Sequence, residues 1–244
     1  LLLAGGAEFG GRMAEPDQKA IELAGGVDAP IRIIPTAAAP DGNHLRAGRN
    51  GVAWFKSLGA KDVASLGLID KISANNPAIA DSLRGAKLIY LLGGFPDYLR
   101  KTLKNSLAWQ AALEAWQRGA VIAGSSAGAM VLCQHYYDPD SGRVFAGLDL
   151  VHHALALPHH NTFGKSWAPC LLSKLPGMTL LGIDERTGLL DDGYGLRRER
   201  VSTELDEVSA EQGSWSVLGQ GAATIYNGNE TRVYRAGESF SIPH

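Results

Sequence analysis

Cysteine is scarce in this chain: 244 residues contain two, Cys133 and Cys170. Two thiols cannot build a disulfide framework, and neither has metal-ligand spacing. A reducing compartment is expected, and the localisation read from it is cytoplasmic. Long apolar runs are missing as well, and no window approaches a membrane span. The opening Leu1-Leu2-Leu3-Ala4-Gly5-Gly6 is too short for a signal peptide and reads as a buried first strand. It starts without methionine, which leaves room for a segment upstream. Basic runs are absent too. The one cluster, Arg197-Arg198-Glu199-Arg200, is short and interrupted, and the net charge is −2. Neither a nucleic acid nor a membrane is expected as a partner.

What the chain does have is a hydrophobic content of 45%, enough for a sizeable core. No repeat, low-complexity tract or linker divides it, so one domain over 1–244 is expected. Apolar runs of strand length alternate with helical stretches through the first half. Strands are predicted at Leu1–Ala4, Ile31–Pro35, Val63–Leu68, Ala86–Leu92 and Ala120–Ala123. Helices are predicted around Arg12–Ala24, Asn43–Leu58, Pro77–Leu83 and Asp97–Arg118. Repeated β-α units of this kind build a mostly parallel sheet with helices on both faces, a three-layer α/β sandwich. Shorter strands follow at Leu150–Leu157, Leu180–Ile183, Trp215–Leu218, Ala222–Tyr226 and Thr231–Tyr234. Asn227-Gly228-Asn229 turns the last two into a hairpin. The polar stretch Arg197–Gln212 reads as an exposed excursion.

The most informative stretch is Gly124-Ser125-Ser126-Ala127-Gly128, between the run Ala120–Ala123 and the apolar Ala129-Met130-Val131-Leu132. Strand, a turn with glycine on either side of a serine, then helix is the layout of a nucleophile elbow. Such a turn lifts the hydroxyl out at the carboxyl end of the strand. The following helix offers free N–H groups to an oxyanion. Ser126 therefore reads as a nucleophile. The plainer reading is a glycine-rich turn that lets two backbones pack closely.

A serine hydroxyl needs a base. Of seven histidines, His44, His135 and His244 read as surface groups, while His152-His153 and His159-His160 flank the strand Ala154–Leu157. His159, after Pro158 at the end of that strand, sits where a sheet delivers groups to its active edge. Neighbouring histidines on a strand point to opposite faces, so each pair offers one ligand to a given metal, and no carboxylate lies at zincin spacing. No metal or other cofactor is expected. The orienting carboxylate is sought in the loop Tyr137-Asp138-Pro139-Asp140-Ser141-Gly142, with Asp138 ranked over Asp140, although this is also ordinary turn chemistry. The second oxyanion donor is sought in Leu91-Leu92-Gly93-Gly94-Phe95-Pro96, where Gly94 N–H would join Ala127 N–H; a plain strand-to-helix turn fits this stretch equally well.

Together these pieces resemble the peptidase E and cyanophycinase family of serine peptidases, whose flavodoxin-like fold is similar to class I glutamine amidotransferases. The resemblance covers nearly the whole chain. It rests on Ala4-Gly5-Gly6-Ala7-Glu8, Ile34-Pro35-Thr36-Ala37-Ala38, Gly93-Gly94, the elbow Gly124–Ala129, Leu157-Pro158-His159-His160 and Leu181-Gly182-Ile183-Asp184-Glu185-Arg186-Thr187. It implies Ser126 as nucleophile, His159 as base and an acid in the loop after the elbow helix, which fits Asp138 without excluding Asp140. Glutamine amidotransferases carry cysteine at the elbow, so serine argues against that activity.

Cyanophycin-cleaving members carry several arginines just after the histidine, whereas His160-Asn161-Thr162-Phe163-Gly164-Lys165-Ser166-Trp167 offers only Lys165. Lys165 would hold a substrate carboxylate as a point charge, or is a solvated loop lysine. His160 and Phe95 are further substrate-side candidates, and Phe95, Phe163 and Trp167 would make an apolar pocket. The expected activity is hydrolysis of a small peptide or amide through an acyl-enzyme. An esterase with the same triad, a binding module that has lost activity and a metal-binding protein using the paired histidines are the rivals. The oligomeric state stays open, a homodimer included.

Overall fold

Successive side chains of the first strands alternate between two separate cores. In the computed structural model, which describes residues 1–191 and 214–242, β1 (Leu2–Ala4) sends Leu2 to one core and Leu3 to the other. Strand β2 (Ile31–Ile34) does the same with Ile33 and Ile34. After β3 (Val63–Ser65), strand β4 (Leu88–Leu91) places Leu88 and Tyr90 in one core and Ile89 and Leu91 in the other. All four β4 residues are buried, as a strand covered on both faces requires. Strand β5 (Val121–Ser125) completes the parallel part of the sheet, ordered β1-β5-β4-β2-β3.

Helices α1 (Ala14–Leu23) and α2 (His44–Ser57) cover one face through Ala20, Ile21 and Phe55. The other face is covered by α3 (Pro77–Arg84), α4 (Pro96–Leu103), α5 (Leu107–Gln117) and α6 (Ala127–Leu132), through residues such as Leu83, Leu99, Ala111 and Val131. The result is a three-layer α/β sandwich.

One long helix over Asp97–Arg118 is not formed. The chain breaks at Lys104-Asn105-Ser106, where Asn105 has φ +56° and Ser106 caps the next helix by accepting from Trp109 N–H at 3.1 Å. A cap of that kind contributes about 1 kcal/mol and ends the competition between one helix and two. The loop expected at Tyr137–Gly142 is instead a hairpin of β6 (His135–Asp138) and β7 (Arg143–Ala146). The strand expected from Leu150 is reduced to β8 (Ala154–Leu157), because Asp149 and His153 both take positive φ in the turn before it.

Helix α7 (Ala168–Lys174) then leads to β9 (Thr179–Ile183) and β10 (Thr187–Asp191). Strands β11 (Ser214–Gly219), β12 (Ala222–Asn227), β13 (Glu230–Arg235) and β14 (Ser239–Ser241) follow. Strands β10, β11 and β14 extend the main sheet antiparallel from β1, so it is a mixed sheet of eight. The hydrophobic pattern of the sequence predicts neither β10 nor β14. Strands β13-β12-β9-β8 make a second sheet, with β8 and β9 parallel. Leu181 and Ile183 of β9 face the main core, while Leu180 packs with Leu155, Leu157 and α7 residues in a third cluster. The excursion expected at Arg197–Gln212, and His244, lie outside the described residues.

Candidate active site

Five segments converge at the carboxyl ends of parallel strands: Gly5–Phe9 after β1, Gly93-Gly94 after β4, Ser126 after β5, His159 after β8 and Glu185 after β9. Backbone bonds stitch the two sheets together here. His159 N–H donates to Gly5 C=O at 2.7 Å and Arg186 N–H to Gly6 C=O at 3.0 Å, while Gly5 N–H continues the β1–β10 pairing by donating to Thr187 C=O at 3.0 Å. Gly6, at φ +104°, lies so close to the His159 ring that a Cβ on it would overlap the imidazole. Non-glycine residues with positive φ gather around the same point: Ala7, Phe9, Ser126, His159 and Arg186. Each such conformation costs on the order of 1–3 kcal/mol, and clustering of this sort is typical of sites that fix geometry.

Ser126 has φ +50° and ψ −113° and precedes α6, which begins at Ala127. Its neighbours account for the two glycines. A Cβ on Gly124 would lie 2.5 Å from the Gly128 carbonyl carbon, and one on Gly128 would run into the Leu91 carbonyl oxygen. The elbow is thus packed backbone to backbone against its own helix and against β4.

Ser126 Oγ lies 3.0 Å from His159 Nε2, and His159 Nδ1 lies 2.8 Å from Glu185 Oε1. A carboxylate only accepts, so in the neutral imidazole Nδ1–H donates to Glu185 and the Nε2 lone pair faces the serine hydroxyl. That tautomer is the one that removes a proton from an alcohol. Glu185 is itself fixed, its N–H donating to Asn161 Oδ1 at 2.9 Å. Among the described residues, neither Gly94 N–H nor Ala127 N–H is used by an internal acceptor.

The carboxylate expected of Asp138 is not the one against the imidazole. Asp138 is buried at the end of β6, where it accepts from Ser141 N–H at 3.1 Å and from the Ser141 hydroxyl, closing the hairpin turn. Asp140 is exposed in the same turn. His160 is likewise not on the substrate side. It is buried at 4% exposure, with Nε2 2.9 Å from the Tyr226 hydroxyl and Nδ1 3.6 Å from Asp184 Oδ1. Burial holds its pKa below the usual histidine range, against the upward pull of Asp184; the Lys165 ammonium adds to the lowering.

Phe163 stacks on the His159 ring, with centroids 4.8 Å apart and planes 21° apart, and is 52% exposed. Trp167 packs edge-on against Phe163 and also touches Tyr137. Phe95 is exposed at the start of α4, beside the Gly93-Gly94 turn, and Lys165 is exposed between Phe163 and Trp167 in sequence. His152 pairs with Asp149 rather than with another histidine. Among the described residues no group of three or more His, Cys, Asp or Glu is arranged to hold a metal.

The model of peptidase family S51 matches residues 1–198. The chain belongs to peptidase family S51. As a member of that family it is a serine-type peptidase. It is 28% identical over 198 residues to a cyanophycinase of Geminocystis herdmanii, covering 77% of this chain and 72% of that protein. It is 26% identical over 239 residues to a cyanophycinase of Synechococcus elongatus, covering 92% of this chain and 67% of the relative. Among solved structures, a peptidase from an acI-B1 Actinobacterium superposes with a TM-score of 0.81 at 31% identity, covering 99% of this chain and 96% of the other. The S51 fold is flavodoxin-like and shared with glutamine amidotransferases, in keeping with the mixed sheet and its flanking helices. Among the described residues no helix is long and apolar enough to cross a membrane.

Proposed function

We propose that this S51 peptidase hydrolyses small peptides or related amides through an acyl-enzyme on Ser126, with His159 as base and Glu185, not Asp138, as the orienting acid. The observation that carries the reading is the unbroken chain from Ser126 Oγ through the imidazole to Glu185 Oε1, at 3.0 and 2.8 Å. Ser126 Oγ attacks the scissile carbonyl carbon as its proton passes to Nε2. The oxyanion accepts from Gly94 and Ala127 N–H. Collapse of the tetrahedral intermediate returns the proton from Nε2 to the leaving amine, and water then cleaves the ester by the same steps. Glu185 holds the tautomer and stabilises the imidazolium.

On the substrate side, the stack of Phe163 on His159, with Trp167 behind it, supports an apolar wall along the approach to the base. Phe95 would extend that wall, and exposed Lys165 would meet a carboxylate of the substrate. The test is covalent labelling by a fluorophosphonate. The wild-type enzyme is expected to label and to turn over peptides, and Ser126→Ala to do neither. A Ser126→Ala protein that still labels and cleaves would remove the assignment. Turnover of oxygen esters with no cleavage of any peptide would favour an esterase.

A further inference from the structure

One side chain joins the turn that carries His159 to the turn that carries Glu185. Strands β8 and β9 pair in parallel as far as Leu157 and Gly182. Beyond that pair, His160 N–H donates to Ile183 C=O at 3.1 Å. In a regular parallel ladder the residue making such a bond offers its own C=O to the N–H two places on, here that of Glu185. Glu185 N–H instead donates to the side chain of Asn161, 2.9 Å from Oδ1. The amide oxygen of Asn161 thus stands in for a main-chain carbonyl.

The reason lies in the turn that presents the imidazole. His159 takes φ +52°, and its C=O accepts from Thr162 N–H at 3.0 Å and from Gly164 N–H at 2.9 Å. A Cβ on Gly164 would lie 2.0 Å from the Pro158 carbonyl oxygen, so the turn is tight. It bends the main chain off the line of β8 and carries Asn161 with it. On the other strand, Asp184 N–H points away, to Ala222 C=O at 3.1 Å, and Arg186 N–H donates to Gly6 C=O at 3.0 Å. Those two bonds fix the neighbours of Glu185; the bond to Asn161 ties Glu185 itself to the turn of His159.

With the 2.8 Å contact between His159 Nδ1 and Glu185 Oε1, this closes a ring: imidazole, carboxylate, Glu185 main chain, Asn161 amide and the turn back to His159. Neither turn can swing without stretching both bonds. Asn161 is exposed, so water can satisfy Glu185 N–H at little cost to stability. Water does not hold a carboxylate at a fixed distance from one ring, and small misplacements of reacting groups are costly in rate.

We propose that Asn161 is a positioning residue: through Glu185 N–H it holds the carboxylate against His159 Nδ1, and so sets the rate of turnover. The inference rests on the reading of Ser126, His159 and Glu185 as nucleophile, base and acid.

Three substitutions separate acceptor from bulk. Asn161→Leu keeps the bulk without the acceptor, Asn161→Ala removes both, and Asn161→Asp keeps an acceptor at the same reach. In Asn161→Leu and Asn161→Ala, kcat on one peptide substrate should fall about 5- to 50-fold with KM within about twofold. In Asn161→Asp, kcat should stay within about threefold of wild type. Melting temperatures should agree within about 3 °C, the scale of one exposed hydrogen bond.

Coupling to Glu185 is the readout that a purely structural role would not move. Asn161→Ala alone should slow fluorophosphonate labelling about as much as it slows kcat. Added to Glu185→Ala, where no carboxylate is left to hold, it should change labelling by less than about twofold. Losses that multiply across the two sites overturn the inference. So does wild-type turnover in Asn161→Leu and Asn161→Ala, a loss confined to KM, or an Asn161→Asp as slow as Asn161→Ala when all melt alike. If Glu185→Ala is slow while Asn161→Ala is not, only the role of Asn161 is lost. If Glu185→Ala keeps wild-type turnover, the acid assignment falls and this inference with it. A wild type that resists fluorophosphonate removes the Ser126 reading and the inference together.

Discussion

The imidazole of His159 and the carboxylate of Glu185 lie 2.8 Å apart although 26 residues separate them in the chain. Each follows one of two paired parallel strands, β8 and β9, so the hydrogen bond between them is a consequence of strand register.

Glu185→Gln should therefore lower kcat by about 10²- to 10⁴-fold with a much smaller change in KM, since the amide disturbs the tautomer and the imidazolium but not substrate contacts. Asp138→Asn should leave kcat within about twofold, because its carboxylate serves the β6–β7 turn. Steady-state kinetics on one peptide substrate checks both. A larger loss in Asp138→Asn would return the acid to the hairpin.

Phe163 stacks on one face of the His159 imidazole and is about half exposed. Phe163→Ala should reduce kcat/KM by roughly 2- to 12-fold, the scale of an aromatic pair, with the greater loss on substrates bearing apolar side chains. Equal losses across apolar and polar substrates would limit the ring to holding His159.

Asp17 gives a pH signature. It is buried, accepts from Trp54 Nε1–H at 2.7 Å, and is pushed up to about 7, chiefly by burial and further by the Glu8 charge, against the Trp54 bond. A carboxyl whose pKa rises on folding binds its proton more tightly in the folded state. Its contribution is full below about pH 4, fades as pH rises towards 7, and amounts to as much as about 4 kcal/mol. Asp17→Asn should remove that decline. Melting curves of both proteins between pH 4 and 8 test it: the wild type should lose stability relative to the variant as pH rises, and parallel curves would refute the burial argument.

His160 is a stability residue in this geometry. His160→Ala would leave the Tyr226 hydroxyl without its partner, take the imidazole away from Asp184, which keeps its bond from Ala222 N–H, and open a cavity under β9, at a cost of about 2–4 kcal/mol. Urea denaturation measures it. A variant with unchanged midpoint would mean that the site relaxes around the missing ring.

Much of the fold is legible in the sequence because the parallel strands are short apolar runs punctuated by glycine, and helices of strong periodicity lie between them. The elbow is legible for a related reason. Backbone contact forces glycine at 124 and 128, and a serine pinched between them is well placed for little except presenting its hydroxyl. What stays hidden depends on non-local pairing. Glu185 follows the apolar run Leu180–Ile183, a carboxylate leaving a strand. That signal is present, but proximity in the chain to the elbow helix favours Asp138. His160 looks equivalent to His159 until the turn after β8, with His159 at φ +52°, sends one ring to Ser126 and the other to Tyr226. Strand β10 is silent because Thr187–Asp191 has few apolar residues; its place between β1 and β11 supplies the burial its sequence does not advertise.

The proposed nucleophile, Ser126, belongs to one sheet, whereas the proposed base and acid, His159 and Glu185, hang from the other. Main-chain bonds from His159 to Gly5 and from Arg186 to Gly6, with the apolar core that both sheets share, keep the two halves in register. Reactivity is thus a property of the seam: slippage between the sheets by a fraction of a bond length would silence Ser126 while every strand remained intact, so loss of labelling on warming should precede loss of secondary structure.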